Sequence, residues 1–350
     1  LSQPVVSWTK ASTDGERIPG RGGHSCVVAD FQLVVFGGHY YQGSGKWVYL
    51  NDTWVLDIES MTWQEVRCGG QVPEVRYGHS CCLVGSRMFV VAGNGGAGHL
   101  YRDVHFLDLV DWTWVPVNAT STGPSPRQAP LPPQPFGQAT VLVGRKIVIH
   151  GGWDGAGSCF GDLWIFDTDS FAWIQPRVGG LPPSPRHGHG MELLPDGRIL
   201  MFGGATVDGA KVPVYHEDMR QLDTETMQWS KAKTQGKKKR ALPPVPGAKL
   251  SARYGHTLRL DESGQVAFVF GGWGLGGVQE RQANKRAGAE TMAVCSLATE
   301  EVELAFPAVH GRGAPTPKYG HTCVSIGKAF FVFGGWNGQQ ATNEVVVMEL

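Results

Sequence analysis

Histidine, the side chain most often used for acid–base catalysis and metal binding near neutral pH, recurs in one setting along this chain. Five histidines follow a glycine and have a basic residue three positions before them: His24, His79, His189, His256 and His321. Catalysis needs one asymmetric cluster, and zinc needs ligands within about 2 Å, which a residue spread through the whole chain cannot supply. We therefore interpret these histidines as structural, each tying a turn to its neighbour.

The Gly-His motif opens a repeat with four marks in fixed order. An apolar run ending in a glycine pair comes next, then an acid-led apolar run ending in Asp, and last a short turn and a Trp. The apolar runs are short, rich in Val, Ile and Phe, and bounded by Gly, Asp and Ser, which predicts strands. Each copy then supplies about four antiparallel strands, and the copies span about 21–66, 76–117, 136–176, 186–232, 253–305 and 318–350.

The two ends of the chain complete each other in this scheme. The sixth copy lacks its fourth strand, whereas 5–12 reads as a fourth strand, with Trp8, that has no preceding partners. Both defects are explained if the N-terminal strand completes the last blade and closes a ring. The sequence thus predicts an all-β, six-bladed β-propeller of four-stranded antiparallel blades, in a single domain over 1–350.

These marks resemble a known family. Glycine pairs that end a strand, the acid-led strand and the spaced Trp are similar to the kelch repeat, and the Arg-x-Gly-His start resembles its longer-repeat branch. The resemblance covers Val5 to Leu350. It implies a six- or seven-bladed propeller that is usually a protein-interaction module and occasionally an enzyme.

Most of the repeated residues are expected to be structural. Glycine permits positive φ and close backbone approach where a strand leaves the crowded centre. The basic residue before each Gly-His is a candidate partner for the repeating acids Asp52, Asp103, Asp162 and Asp218, and the spaced tryptophans are candidate fillers between blades. The glycine pairs are Gly37 and Gly38, Gly151 and Gly152, Gly203 and Gly204, Gly271 and Gly272, and Gly334 and Gly335.

Function is expected where the copies differ, on the face that carries the long loops. Blade one has an aromatic-rich loop after its glycine pair, and such loops are typical of recognition surfaces. Three tryptophans follow glycine pairs and read equally well as ligand contacts or as wedges between blades. The candidate partner-binding residues are Tyr40, Tyr41, Trp47, Tyr49, Trp153, Asp154, Trp273, Arg281, Trp336 and Asn337.

Two inserts interrupt the repeat. Gly123–Gly137 resembles the start of blade four with Pro-rich residues spliced in after Arg127, and it reads either as a docking segment or as a stiff spacer. The basic run Lys237, Lys238, Lys239 and Arg240 reads as a contact for an acidic partner, as a nuclear import signal, or as a solvated loop.

The composition limits the binding partners and the cellular compartment that we expect for the protein. The 31 basic and 31 acidic residues cancel, so no global field favours nucleic acid or an anionic membrane. No apolar run is long enough for a transmembrane helix, and no signal peptide is evident. The seven cysteines form no CxxC pair, which favours reduced thiols and an intracellular, cytoplasmic protein, with the nucleus as the alternative. Because the first residue is Leu, we expect a processed chain or a piece of a longer one.

The leading interpretation is a non-catalytic, monomeric scaffold that binds a protein or peptide through the long-loop face, with no metal, cofactor or catalytic residue. No GxSxG, HExxH or P-loop motif occurs, and the glycines at Gly93–Gly98 read as a loop. The alternative is an enzyme or a binder of a carbohydrate or polar metabolite on the same face, for which Asp154 is a candidate acid. A third interpretation makes the propeller only a spacer. A scaffold predicts a broad aromatic surface, whereas an enzyme predicts a deep axial pocket with converging acids or histidines.

Overall fold

The computed structural model describes residues 5–121, 132–133, 135–207, 212–232, 251–274, 292–296, 303–305, 308–310 and 318–349. Every regular element within these residues is a β-strand. Among them, no helix has the length and apolar character needed to cross a bilayer.

The first half of the chain builds three sheets of five strands each, and the strands of a sheet are hydrogen-bonded in the order in which they are given. Blade one consists of β2 (Asp14–Gly15), β6 (Thr62–Val66), β5 (Lys46–Asp57), β4 (Gln32–Gly43) and β3 (Ser25–Ala29). Blade two consists of β7 (Gly69–Gly70), β11 (Thr113–Pro116), β10 (His99–Asp108), β9 (Arg87–Gly96) and β8 (Ser80–Val84). Blade three consists of β12 (Thr120–Ser121), β16 (Ala172–Ile174), β15 (Leu163–Asp167), β14 (Lys146–His150) and β13 (Ala139–Val143).

The second half builds three further sheets and a small hairpin. Blade four consists of β17 (Gly179–Gly180), β23 (Gln228–Lys231), β22 (Met219–Asp223), β19 (Arg198–Phe202) and β18 (Gly190–Leu193), and its hairpin of β20 (Ala205–Val207) and β21 (Pro213–Tyr215). Blade five consists of β24 (Arg253–Leu260), β25 (Val266–Gly274), β26 (Met292–Ser296) and β27 (Glu303–Ala305). Blade six consists of β28 (Ala308–His310), β1 (Val5–Lys10), β31 (Val345–Glu349), β30 (Ala329–Phe333) and β29 (Thr322–Ile326).

The propeller and its closure by the N-terminal strand are confirmed. The first strands of the blades, β3, β8, β13, β18, β24 and β29, contact one another in that order and return to β3, which makes a ring. The strand β1 pairs antiparallel with β31, so that Trp8 lies opposite Met348. The N-terminal segment therefore supplies the strand that the sixth copy lacks.

Each blade contains the four antiparallel strands that the repeat predicts, and five of the six sheets add a fifth strand that was not predicted. The extra strand is two or three residues of the connection between blades, and it pairs in parallel with the Trp-bearing strand of the blade that follows or, in blade six, with β1. Such a strand is too short to show an apolar period. Gly69 and Gly70 of β7, for example, read as a turn in the sequence.

A closed circuit of hydrogen bonds joins the glycines of the six motifs. The N–H group of each glycine donates to the carbonyl of its counterpart in the preceding blade at 2.7–2.9 Å, and Gly23 closes the circuit on Gly320. All six residues have φ between 62° and 67°, where a side chain is strained. The members of this glycine ring are Gly23, Gly78, Gly137, Gly188, Gly255 and Gly320.

The basic residue of the motif binds within its own blade and to its neighbour. In blade one the fully buried Arg21 guanidinium donates to Asp52 at 2.7 and 2.9 Å and to the Gly37 carbonyl at 3.0 Å. Its own carbonyl accepts a bond of 2.8 Å from Gly335 of blade six. Arg76 and Arg186 pair in the same way with Asp103 and Asp218.

The predicted pairing holds for these three acids and not for Asp162. Blade three has Pro135 where the other blades have Arg or Lys, and the Asp162 carboxylate makes no ion pair with any residue that the structure describes.

The tryptophans fill the spaces between blades, as predicted. The rings of Trp114 and Phe36 lie 4.6 Å apart across the joint between blades two and one, and the pair Trp63 and Phe333 is 5.0 Å apart at the joint between blades one and six. Trp8, Trp63, Trp114, Trp173 and Trp229 are at most 4% exposed. Each large side chain buried in this way contributes about 2–3 kcal/mol by removing apolar surface from water.

We predict that Asp52→Asn lowers the free energy of unfolding by about 3 kcal/mol, because it leaves the buried Arg21 guanidinium without its charged partner. Urea unfolding at pH 7 measures the change. The matched control is Asp169→Asn, which breaks the ion pair between Asp169 and Arg145. In this pair the Arg145 side chain is 60% exposed and the Asp169 side chain 59%. That change should cost less than about 1 kcal/mol. Equal losses in the two variants would contradict a special role for the buried pair.

Candidate functional site

The five motif histidines lie at the joints between blades and are at most 7% exposed. Three of them bond a hydroxyl that follows the Gly-His of the preceding blade: His24 to Thr322 at 2.8 Å, His79 to Ser25 at 2.9 Å and His321 to Thr257 at 3.1 Å. Each of these imidazoles also packs edge-on against a phenylalanine of the preceding blade. The rings therefore join neighbouring blades and do not converge on a common point.

The other two histidines face blades that lack the hydroxyl. Blade three has Ala139 at that position, and His189 instead bonds His150 Nδ1 at 3.0 Å. Blade four has Gly190, and both ring nitrogens of His256 are buried without a partner in the described part of the chain. The joint between blades four and five thus lacks a bond that three other joints make.

Burial keeps these imidazoles neutral. It lowers the pKa of His79, His150, His256 and His321 to about 3, and it lowers the pKa of His24 and His189 well below 6.5. An unfolded histidine binds a proton below about pH 6.5, so the unfolded state takes up more protons than the folded state between that pH and about 3. Stability must therefore fall as the pH falls through this window.

We predict that the free energy of unfolding decreases steeply between pH 6.5 and 5, by up to about 1.4 kcal/mol per pH unit for each buried histidine. Urea unfolding at several pH values measures the slope. His79→Gln should fold, since blade three itself carries Gln138 at this position, and should lower the proton uptake on unfolding by about one. An unchanged slope in His79→Gln would show that His79 is not buried in its neutral form.

The aromatic segment of blade one is a β-hairpin rather than the predicted loop. The strands β4 and β5 continue past Gly38 to a turn at Ser44 and Gly45, and Tyr41 lies opposite Trp47. The ladder shifts register between Phe36 and Gly38, which breaks the period-two pattern that marks a strand. The glycines at Gly93–Gly98 likewise belong to a hairpin of β9 and β10 and not to a loop.

The side chains of this hairpin begin a belt of aromatic contacts beside the glycine ring. Trp47 packs against Trp336 of blade six at 5.6 Å and against His39 at 5.0 Å, and His39 lies 4.2 Å from Tyr77 of blade two. The belt passes from ring to ring at 5.3–6.0 Å, and main-chain bonds between Tyr319 and Trp336 close it. We call these residues the aromatic rim: His39, Trp47, Tyr77, Phe136, Trp153, His187, Tyr254, Tyr319 and Trp336.

The rim is uncharged at neutral pH. Burial lowers the pKa of His39 and His187 to about 4, and burial together with the nearby Tyr49 raises the pKa of Tyr77 to about 12. Most of its rings are half-buried, whereas Trp47 is 43% exposed and the adjoining Tyr41 40%. A neutral aromatic surface of this kind can stack and donate hydrogen bonds, but it offers no charged acid or base.

The structure places the other predicted contacts around this rim. Tyr49 stacks on Tyr77 at 5.6 Å, Trp273 meets Tyr319 edge-on at 5.5 Å, and Tyr40 is half-buried in the hairpin. Trp153 touches Phe136 of its own blade and His187 of the next, so it spans two blades and still presents part of its ring to solvent. Arg281, the basic run Lys237, Lys238, Lys239 and Arg240, and most of the Pro-rich insert lie outside the described residues.

Sequence reasoning missed one set of rim residues. They occupy the position between the basic residue and Gly-His, which is aromatic or His in five copies: Tyr77, Phe136, His187, Tyr254 and Tyr319. The recurrence of an aromatic or His side chain at this position of the repeat is the signal that could have identified them. Blade one has Gly22 there, and its hairpin supplies His39 and Trp47 to the rim instead.

Asp154 and Asn337 organise their own turns. The Asp154 carboxylate accepts bonds from the N–H groups of Ala156, Gly157 and Ser158 at 2.8–2.9 Å. Burial raises the pKa of this carboxyl, but these donors outweigh it and hold the pKa below its usual value. Asn337 accepts from Gln339 and Gln340 at 2.9 Å. An acid saturated by main-chain donors is poorly suited to act as a general base.

The propeller axis contains a cavity of about 350 Å³ that is lined by the first strands of the blades. Its only acidic lining residue within the described chain is Glu192, which accepts a bond of 2.8 Å from Arg259. No group of three or more His, Cys, Asp or Glu side chains among the described residues is placed to hold a metal ion. The axial cavity therefore does not bring together the converging acids that the enzyme interpretation predicts.

Six sheets around an axis, with an aromatic rim at one end, define a β-propeller protein. The chain belongs to the kelch-repeat family, since residues 5–132 and 128–243 match the KLHDC2/KLHL20/DRC7 Kelch-repeats domain. The resemblance predicted from the repeat marks is thereby confirmed.

Relatives with this similarity occur in plants and insects. The chain is 30% identical to Adagio-like protein 1 of Oryza sativa subsp. japonica, over 96% of this chain and 50% of that protein. It is 30% identical to acyl-CoA-binding domain-containing protein 4 of Arabidopsis thaliana, over 59% of this chain and 28% of that protein. It is 25% identical to host cell factor of Drosophila melanogaster, over 94% of this chain and 22% of that protein. The chain thus spans half or less of the length of these relatives.

Proposed function

We propose that this propeller is a scaffold that binds a protein or peptide partner on the aromatic rim. The observation that carries the proposal is the belt of aromatic rings, most of them partly exposed, drawn from five blades and the hairpin of blade one. Aromatic side chains are enriched in the energetic centres of protein interfaces because they offer large contact area at low entropy cost. Kelch-repeat proteins are typically interaction scaffolds, which agrees with this role.

The shape of this face also favours a partner larger than a metabolite. Tyr41 and Trp47 stand on the extended hairpin of blade one, and Val214 on the hairpin of blade four is 48% exposed. Blade four lies three places from blade one around the ring, so these two hairpins flank the rim on opposite sides. A peptide or a protein loop could contact both hairpins and the rings between them.

We predict that Tyr41→Ala combined with Trp47→Ala weakens partner binding at least tenfold, which corresponds to about 1.4 kcal/mol. Phage-displayed peptides selected on the intact protein provide ligands, and calorimetry compares their affinities for the intact and altered proteins. Circular dichroism and urea unfolding establish that the variant folds.

The matched control is Phe31→Ala, which removes a 62% exposed aromatic ring from the turn between β3 and β4. Peptides that lose affinity for the rim variant and keep it for Phe31→Ala would support the proposal. Equal binding to all three proteins, or failure to select any peptide, would rule out the rim as the binding surface.

A further inference from the structure

The joint between blades two and three departs from the repeat at three positions. The residue before the glycine pair is Phe in four blades, but it is Val91 in blade two. Blade three has Gln138 in place of the histidine and Pro135 in place of the basic residue. The main-chain bond at this joint, from Gly93 to Pro135, measures 3.4 Å, against 2.8 Å at each of the other five.

These departures leave a cavity where four of the other blades hold an arginine and blade six holds Lys318. In blade one, Arg21 donates to the carboxylate of Asp52, to the carbonyl of Gly37 and to the carbonyl of Pro19. The matching positions of blade three are Asp162, Gly151 and Pro133, and all three line the cavity. No hydrogen bond to the Asp162 carboxylate or the Gly151 carbonyl comes from any residue that the structure describes.

Asp162 is exposed to solvent, but two other polar atoms at the cavity are buried without partners in the described part of the chain. They are Oε1 of Gln138 and Nε1 of Trp164, in side chains that are 8% and 5% exposed. The counterpart of Trp164 in blade one, Trp54, donates to Asp52 at 2.7 Å. In that blade the arginine, the acid and the tryptophan form one network, whereas blade three contains only the acid and the tryptophan. Buried polar atoms without partners are costly, so a ligand that satisfies them gains affinity.

The cavity selects a small, flat cation. Its volume is about 20 Å³, which is little more than one water molecule needs and is far too small for a sugar or a nucleotide. Asp162 is the acid among the lining residues, and the exposed Arg102 is the basic residue among them, which opposes the binding of a cation. A guanidinium can donate to a carboxylate and two further acceptors at once, as Arg21 does in blade one, and it forms bidentate bonds with a carboxylate that an ammonium cannot form.

We propose that this cavity binds an arginine side chain of a protein partner. The guanidinium would donate to Asp162, to the Gly151 carbonyl and to Oε1 of Gln138, and so complete in blade three the network that blade one makes from its own chain. The cavity is close to the rim, because Gly151 precedes Trp153 by two residues.

The test uses N-acetyl-arginine amide as the ligand and N-acetyl-citrulline amide as its neutral isostere. Titration is followed by the indole N–H resonance of Trp164 in the full chain, assigned with Trp164→Phe. We expect saturable shifts with the arginine compound and at least tenfold weaker binding of the citrulline compound. Asp162→Asn should weaken arginine binding at least tenfold, whereas Asp169→Asn, which alters an exposed acid of the same blade, should leave it unchanged.

Two further variants make the outcome decisive. Pro135→Arg restores the arginine of the repeat, so it should block the ligand while keeping the protein folded, even if Asp162→Asn fails to fold. Arg127→Ala removes the arginine that precedes the Pro-rich insert. The proposal is overturned if arginine and citrulline compounds bind alike or if neither the intact protein nor Arg127→Ala responds. It is equally overturned if only Arg127→Ala responds, since the chain would then fill its own cavity.

Discussion

The glycine ring is the constraint on which the rest of the propeller depends. Each blade donates one N–H group to the blade before it, and after six such bonds the circuit returns to its start. The geometry requires positive φ at every step, and at Gly78 it also leaves little room, since a Cβ there would lie 3.1 Å from the Phe136 ring. Because the circuit closes, a shift of the backbone in one blade requires shifts in the neighbouring blades if all six hydrogen bonds are to be kept.

The contacts of the motif residues outside this ring also repeat from blade to blade. The histidines and tryptophans each reach from one blade to the next, so their residue type depends on what the neighbouring blade offers, whereas each motif arginine side chain binds within its own blade. Gly190 illustrates the dependence, because its lack of a hydroxyl leaves both ring nitrogens of His256 without a hydrogen-bond partner among the residues that the structure describes. Blade three illustrates it again, because His150 replaces that missing hydroxyl for His189. The scaffold is thus a chain of pairwise joints rather than one undivided core.

The fold could be predicted because six copies show the same pattern of residues. A strand that is irregular in one copy can therefore be identified from the other copies. The outer strands could not, since two residues such as Gly69 and Gly70 carry no period. The hairpin of blade one could not, since the shift at Gly38 interrupts its pattern. The rim was predicted only in part: Trp47, Trp153 and Trp336 stand out as departures, whereas Tyr77 and Tyr254 are hidden within the repeat motif. The identity of a partner cannot be predicted from the packing, because the contacts among the rim side chains depend on the neighbouring blades and not on a partner.

The pairing of β1 with β31 joins residues such as Trp8 and Met348, which are 340 positions apart in the chain. During synthesis the first of these strands leaves the ribosome long before its partner exists. Until then its backbone N–H and C=O groups remain unpaired. Its apolar side, which includes a residue fully buried in the folded protein, Val6, remains exposed. Contacts of such large sequence separation slow folding and prolong exposure to aggregation. The strand that completes the ring is therefore without its antiparallel partner for longer than any other strand that the structure describes.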